Sequence, residues 1–174
     1  IADMDYKKIQ MYEQSNKIIA PKELLKKLSE YDDLVLPVYI KINDSEQIFG
    51  IADYVDFIEH IYIPSKICHD LELTENEETI ITILKETPVK ATELKIKPLN
   101  EEFYEIQNIK TYLEVWLKKM YITLSSGEII NLPYRDGFIS LFIDEVQPEP
   151  LVSIYDIDEV KIDLLPMDEY ANKK

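Results

Sequence analysis

The chain has 174 residues, 46% of them apolar, and a formal charge of −15 from 34 acidic against 19 basic residues. A chain of this length buries roughly 70% of its unfolded surface, enough for one good core or two small ones. So acidic a surface repels phosphate backbones and anionic lipid, which makes nucleic acid and membrane surfaces poor direct partners. No apolar run approaches the roughly 20 residues that a membrane-spanning helix needs. The lone cysteine, Cys68, has no partner for an intramolecular disulfide, which fits a reducing compartment. The first residue is Ile1 rather than Met, so the chain is expected to start inside a longer protein or after processing.

In chain order, residues 1–15 read as a polar lead-in without a clear period. Asn16 to Ala20 is a short strand, and Pro21 starts a helix in which Leu24, Leu25 and Leu28 form one apolar face. Leu34 to Ile40 is the longest apolar stretch and reads as buried strand. The alternation of Val38, Ile40 and Ile42 against Tyr39 and Lys41 carries it to Asn43. Asn43 to Glu46 is a turn, from which Gln47 to Val55 runs back. Glu59 to Ile63 is a strand, Pro64 and Ser65 open a short helix with Ile67, Cys68 and Leu71 inward, and Thr74 to Glu78 is an acidic loop. Thr79 to Lys85 and Glu93 to Lys97 are further strands. The texture then changes at Pro98, which places a seam between residues 16–98 and 99–168, with a tail at 169–174.

The clearest helix spans Asn108 to Lys119, with Asn108 as N-cap. Ile109, Tyr112, Leu113, Trp116, Leu117 and Met120 recur at i, i+3, i+4, i+7 and i+8, so one face packs on a sheet. Strands follow at Tyr121 to Leu124, Ile129 to Tyr134, Phe138 to Val146, Leu151 to Ile157 and Val160 to Leu164. Turns at Ser125 to Glu128 and Arg135 to Gly137 separate the first three. The fold class that results is mainly β with α+β character.

Catalytic constellations are hard to assemble from these residues. His60, Cys68 and His69 are the only soft metal ligands, and neither C-x-x-C nor H-x-x-x-H spacing occurs. Cys68 shares a helix face with Ile67 and Leu71, which favours a buried, inert thiol over a nucleophile. Three glycines and the absence of a G-x-x-x-x-G-K-[ST] or G-x-G-x-x-G run leave no phosphate cradle. Carboxylate pairs such as Glu77-Glu78 and Glu101-Glu102 fall in polar loops, where solvated charge is the ordinary reading. Asp136 precedes Gly137 without the Asp-Thr-Gly or Asp-Ser-Gly triplet of an aspartic protease, and Trp116 belongs to its helix's apolar stripe. The expectation is therefore no enzyme, no catalytic residue, no metal and no cofactor.

Several stretches together resemble the N-terminal domain of the ubiquitin fusion degradation protein 1 family. Lys17-Ile18-Ile19-Ala20-Pro21 is similar to the family's K-I-I-x-P opening, and Leu36 to Ile42 to its [YL]-P-x-x-[FI]-K-[LI] strand. Ile61-Tyr62-Ile63-Pro64 resembles its strand and proline before a short helix. Lys95 to Pro98, Phe103, Ile106, the helix from Asn108 and the run Leu124 to Ile130 follow its F-Q-P, D-F-L-D-I, N-P-K-A-x-L-E and L-T-x-G-D order. Glu145 to Pro148 and Val152 to Ile154 are similar to its E-x-K-P and A-V-S-I-I-E end. Departures sit at Asn76 to Glu78, where the family has glycines, at Ile109, where it has proline, and at Glu128, where it has aspartate.

The resemblance, which covers about residues 16–166, implies a double-psi β-barrel subdomain at 16–98 and a smaller mixed α/β roll at 99–168. It implies binding of ubiquitin and polyubiquitin on the first subdomain, through residues it does not identify. It further implies work with nuclear protein localisation protein 4 and a valosin-containing-type AAA ATPase, docked through segments C-terminal to Lys174, in extraction and proteasomal degradation that includes the endoplasmic reticulum. The implied location is cytoplasmic, including the cytosolic face of that membrane, and nuclear. A plastid-type copy serving protein import is one alternative. The substrate-binding N-domain of an AAA ATPase is another, and a barrel enzyme of protease or decarboxylase type a third.

Overall fold

The computed structural model describes residues 6–31, 37–56, 58–155 and 157–167. The described residues fall into two compact units that divide between Thr87 and Pro88. The protein is mixed α/β, with many short strands and few helices.

In the first unit, helix α1 (Tyr6–Glu13) precedes strand β1 (Lys17–Pro21), so the polar lead-in, whose order the sequence left open, is helical from Tyr6 to Glu13. Ser15 stops α1: its hydroxyl donates to the Tyr12 carbonyl and accepts from the Lys17 amide. Pro21 takes the N-cap position of α2 (Lys22–Leu28) with extended backbone, where a missing N–H costs nothing. Of the three expected inward leucines, Leu28 is buried and Leu24 packs on the core, but Leu25 is 44% exposed. A helix of only two turns has one narrow seam to bury, and Leu25 falls beside it.

Strand β2 (Ile40–Ile42) holds Ile40 and Ile42 wholly in the core, with Phe49 bridged to Ile40. Leu34 to Leu36 lie outside the described residues. Strand β3 (Gly50–Val55) follows the turn in which Asn43 adopts a left-handed φ of 52°. Its main partner is not β2, as a run back would require, but β1, in parallel register. The expected strand at 59–63 reduces to a bridge in which Tyr62 and Ile19 exchange both backbone bonds. Helix α3 (Ser65–Asp70) buries Ile67, and β4 (Ile81–Ile83) pairs antiparallel with β2. The ladders of this unit are β1–β3 and β2–β4, each two-stranded. Among the described residues no closed barrel forms, which departs from the expected closure. The core nevertheless gathers residues from both ladders, with Ile18, Leu28, Val38, Ile40, Ile42, Phe49 and Ile67 in one cluster.

In the second unit, β5 (Glu93–Pro98) alternates buried Leu94 and Ile96 with half-buried Lys95 and Lys97. The expected seam at residue 98 would place this strand in the first unit. Instead it lies inside a four-stranded sheet of order β10-β5-β8-β7, formed with β7 (Ile129–Tyr134), β8 (Gly137–Gln147) and β10 (Lys161–Leu164). Polarity alone does not reveal a strand's partners, and the change of texture after Pro98 marks a loop within one unit rather than a boundary. A 3-10 turn at Glu101–Glu105 follows, burying Phe103. Helix α4 (Ile109–Met120) buries Leu113, Leu117 and Met120 and ties to β7 through the Tyr112 hydroxyl, which donates to the Pro133 carbonyl at 2.6 Å. Asn108 stands at the N-cap position but in left-handed geometry (φ 54°), and its side chain caps no backbone N–H; its Oδ1 accepts from the Thr111 hydroxyl instead. The pair β6 (Thr123–Ser125) and β9 (Leu151–Ser153) completes the unit.

Candidate functional site

The groove that stands out in the first unit is about 670 Å³, and the segments 59–63 and 73–81 line it together with Cys68. Its floor is apolar for a local reason. Ile61, Ile63, Leu73 and Ile81 are half-buried because each rests on the core cluster and still reaches the groove. Its lip is acidic: Glu59, Glu75, Glu77 and Glu78 are exposed around it. Tyr62 stands 42% exposed at the wall, and Ile80, next to the lining residues, is 71% exposed. Apolar side chains beside a run of carboxylates suit a partner with an apolar centre and basic surroundings.

The backbone of this groove is as informative as its side chains. The β2–β4 ladder uses alternate residues: the Asn43 amide donates to the Ile80 carbonyl, and the Leu84 amide to the Tyr39 carbonyl. Antiparallel alternation then directs the N–H and C=O of Ile81 and Ile83 away from β2. On the other wall Tyr62 spends both its backbone groups on Ile19, so those of Ile61 and Ile63 point away from β1. Among the described residues no backbone group pairs with Ile61, Ile81 or Ile83 on that outer side, while the Ile63 carbonyl accepts the Cys68 thiol at 3.6 Å.

A second, smaller hollow of about 110 Å³ lies between α1 and β1, lined by Ile9, Tyr12, Glu13, Lys17, Ile19, Tyr62, Ile63 and Pro64. Burial lowers the Lys17 ammonium here to a pKa of about 8. Glu13 holds the start of α3 by accepting from the Ser65 amide at 3.0 Å and from its hydroxyl.

The residues weighed for catalysis do not converge. Cys68 and His60 both line the groove, whereas His69 is exposed on α3. Burial, then the charge of Glu13, pushes the Cys68 thiol above its usual range, the reverse of an activated thiolate. Asp136 is exposed in the turn between β7 and β8, in the other unit. Trp116 is half-buried on α4, with the Lys119 ammonium 5.2 Å from its ring centroid. Among the described residues no group of three or more His, Cys, Asp or Glu side chains could hold a metal ion.

Reading along the chain misses the groove, because its walls are about 20 residues apart. The signal was present as two isoleucine pairs of period two, Ile61/Ile63 and Ile81/Ile83, flanking an acidic loop.

Residues 90–167 match the family model described as ubiquitin fusion degradation protein UFD1, N-terminal subdomain 2. A ubiquitin fusion degradation protein 1 homolog of Dictyostelium discoideum is 28% identical over 157 residues, 88% of this chain and 46% of the relative. The human ubiquitin recognition factor in ER-associated degradation protein 1 is 27% identical over 150 residues, 84% of this chain and 48% of the relative. A Caenorhabditis elegans ubiquitin fusion degradation protein 1 homolog is 26% identical over 170 residues, 95% of this chain and 48% of the relative. The chain thus spans about half the length of the curated relatives it matches.

Proposed function

We propose that the chain belongs to the ubiquitin fusion degradation protein 1 family and is the ubiquitin-recognising part of an adaptor in ubiquitin-dependent degradation, including degradation of proteins from the endoplasmic reticulum. The observation that carries this reading is the reach of the relatives. A protein named a ubiquitin recognition factor aligns with 84% of the chain, so the likeness extends well into both units. The first unit supports it physically through the exposed Tyr62 and Ile80 beside the carboxylates of Glu75, Glu77 and Glu78. Ubiquitin's recognition surface is apolar with basic neighbours, and the two match in sign and character.

The mechanism is recognition followed by avidity, with no bond made or broken. A single ubiquitin contact is weak, and a chain of ubiquitins that engages several such modules gains roughly 10² to 10⁴ in strength without a new kind of contact. Delivery to a valosin-containing-type AAA ATPase, with nuclear protein localisation protein 4, completes the proposed role, in the cytoplasm, at the cytosolic face of the endoplasmic reticulum and in the nucleus.

Fluorescence anisotropy of labelled monoubiquitin and tetraubiquitin against this chain, immobilised at high density, tests the proposal. Binding should be weak for the monomer, stronger for the tetramer, and reduced when Glu75, Glu77 and Glu78 are all changed to Gln. Equal, salt-insensitive binding by the triple variant would remove the first unit's acidic lip from the account. No binding of either ligand would end the proposal.

A further inference from the structure

Among the described residues, the groove of the first unit lies between the outer edge of β4 and the segment that carries the Tyr62 bridge. Ile61 and Ile63 on one wall, and Ile81 of β4 on the other, direct backbone groups away from the partners β1 and β2, as Ile83 does further along β4. Side chains from both segments line the same space, so the edges belong to one hollow rather than to opposite faces of the unit. Native proteins ordinarily cover or charge such edges, since unpaired N–H and C=O groups template another strand. Here the edge residues are isoleucines, and the charge is set back on the lip, in Glu59, Glu75, Glu77 and Glu78.

We propose that this groove docks an extended segment of a partner polypeptide, apolar at alternate positions and carrying lysine or arginine between them, which adds as a strand to the outer edge of β4 at Ile81–Ile83, with Ile61 and Ile63 as the other wall of its channel. Strand addition supplies affinity through main-chain bonds, and the half-buried floor of Ile61, Leu73 and Ile81 selects apolar side chains pointing one way. The residues between them turn outward to the lip, where four carboxylates select positive charge. The same charge argues against a second copy of this chain, whose formal charge is −15. The inference rests on the groove's geometry and stands apart from the reading of ubiquitin recognition.

The test uses the whole chain and a labelled heptapeptide of alternating lysine and valine. Three controls accompany it: a version with glutamate in place of lysine, a version N-methylated at alternate amides on one edge, and folded ubiquitin. The lysine peptide should bind and shift the backbone amides of Ile61, Ile81 and Ile83. The glutamate version should not bind, and N-methylation, which leaves the protein untouched, should weaken binding on the order of tenfold by removing main-chain bonds. Changing Glu75, Glu77 and Glu78 to Gln should weaken the lysine peptide several-fold and flatten its salt dependence. Equal binding of the N-methylated and parent peptides, or no binding at millimolar peptide, overturns the inference. Ubiquitin binding without peptide binding overturns it and leaves the adaptor reading in place; peptide binding without ubiquitin binding does the reverse.

Discussion

Lys17 illustrates how a single position couples local packing to solution behaviour. It opens β1 in the hollow beside Tyr12 and Tyr62, where burial lowers its pKa from the ordinary 10.5 to about 8. Between those two values the unfolded chain binds a proton that the folded one does not, so stability rises with pH across about 8 to 10.5. Below pH 8 both states are charged, and the full cost of burying the charge is present. Thermal melts of the first unit's signals should therefore climb over this window, and Lys17→Met should remove the climb. The tyrosines of the second unit act in the opposite sense. Burial raises Tyr112 and Tyr121 above their usual value of 10.0, so the unfolded chain ionises first and stability falls above about pH 10. Tyr121 also exchanges hydrogen bonds with the Asn131 backbone, donating at 3.3 Å and accepting at 3.2 Å. Tyr121→Phe leaves both backbone groups without that hydroxyl and should cost about 1–3 kcal/mol in urea unfolding followed by Trp116 fluorescence.

Among the elements, α4 was the most legible, since its apolar positions repeat at helical spacing and its bounds follow from them. Leu117 is wholly buried on that face, so Leu117→Ala should cost about 2–5 kcal/mol, read from the same Trp116 signal. Val115, 53% exposed on the opposite face, should tolerate Ala with a change of less than about 0.5 kcal/mol. The short strands were less legible because alternation locates a strand without naming its neighbour. Ile40 and Ile42 read correctly as core, yet nothing in Gly50–Val55 indicates a parallel partner 33 residues upstream in the register Lys17 to Gly50. α1 was missed because Tyr6–Glu13 is polar and its amphipathic period is weak. Asn108 was a sound N-cap by type, but its left-handed backbone puts the side chain out of reach of the helix amides. For the candidate site, the acidic loop was visible as composition. The groove it rims was not, since it exists only when the segments at 59–63 and 73–81 fold side by side.

At the scale of the molecule, two units of equal length each carry a core, and the division falls at residue 87 rather than 98. The family match at residues 90–167 falls within the second unit, which holds the four-stranded sheet. Among the described residues, the first unit has the outer edge of β4 and the acidic lip. Because the whole chain is strongly acidic, association with a basic-rimmed partner should slow as ionic strength rises from about 0.01 to 0.15 M, where the screening length shortens from about 30 to 8 Å. Stopped-flow association rates across that range check it. The central claim is most directly tested by titrating the isotopically labelled chain with unlabelled ubiquitin and following every backbone amide. The account predicts saturable shifts concentrated in residues 59–63 and 74–81, with the α4 amides unmoved. Shifts confined to residues 88–167, or none at millimolar ubiquitin, would contradict it.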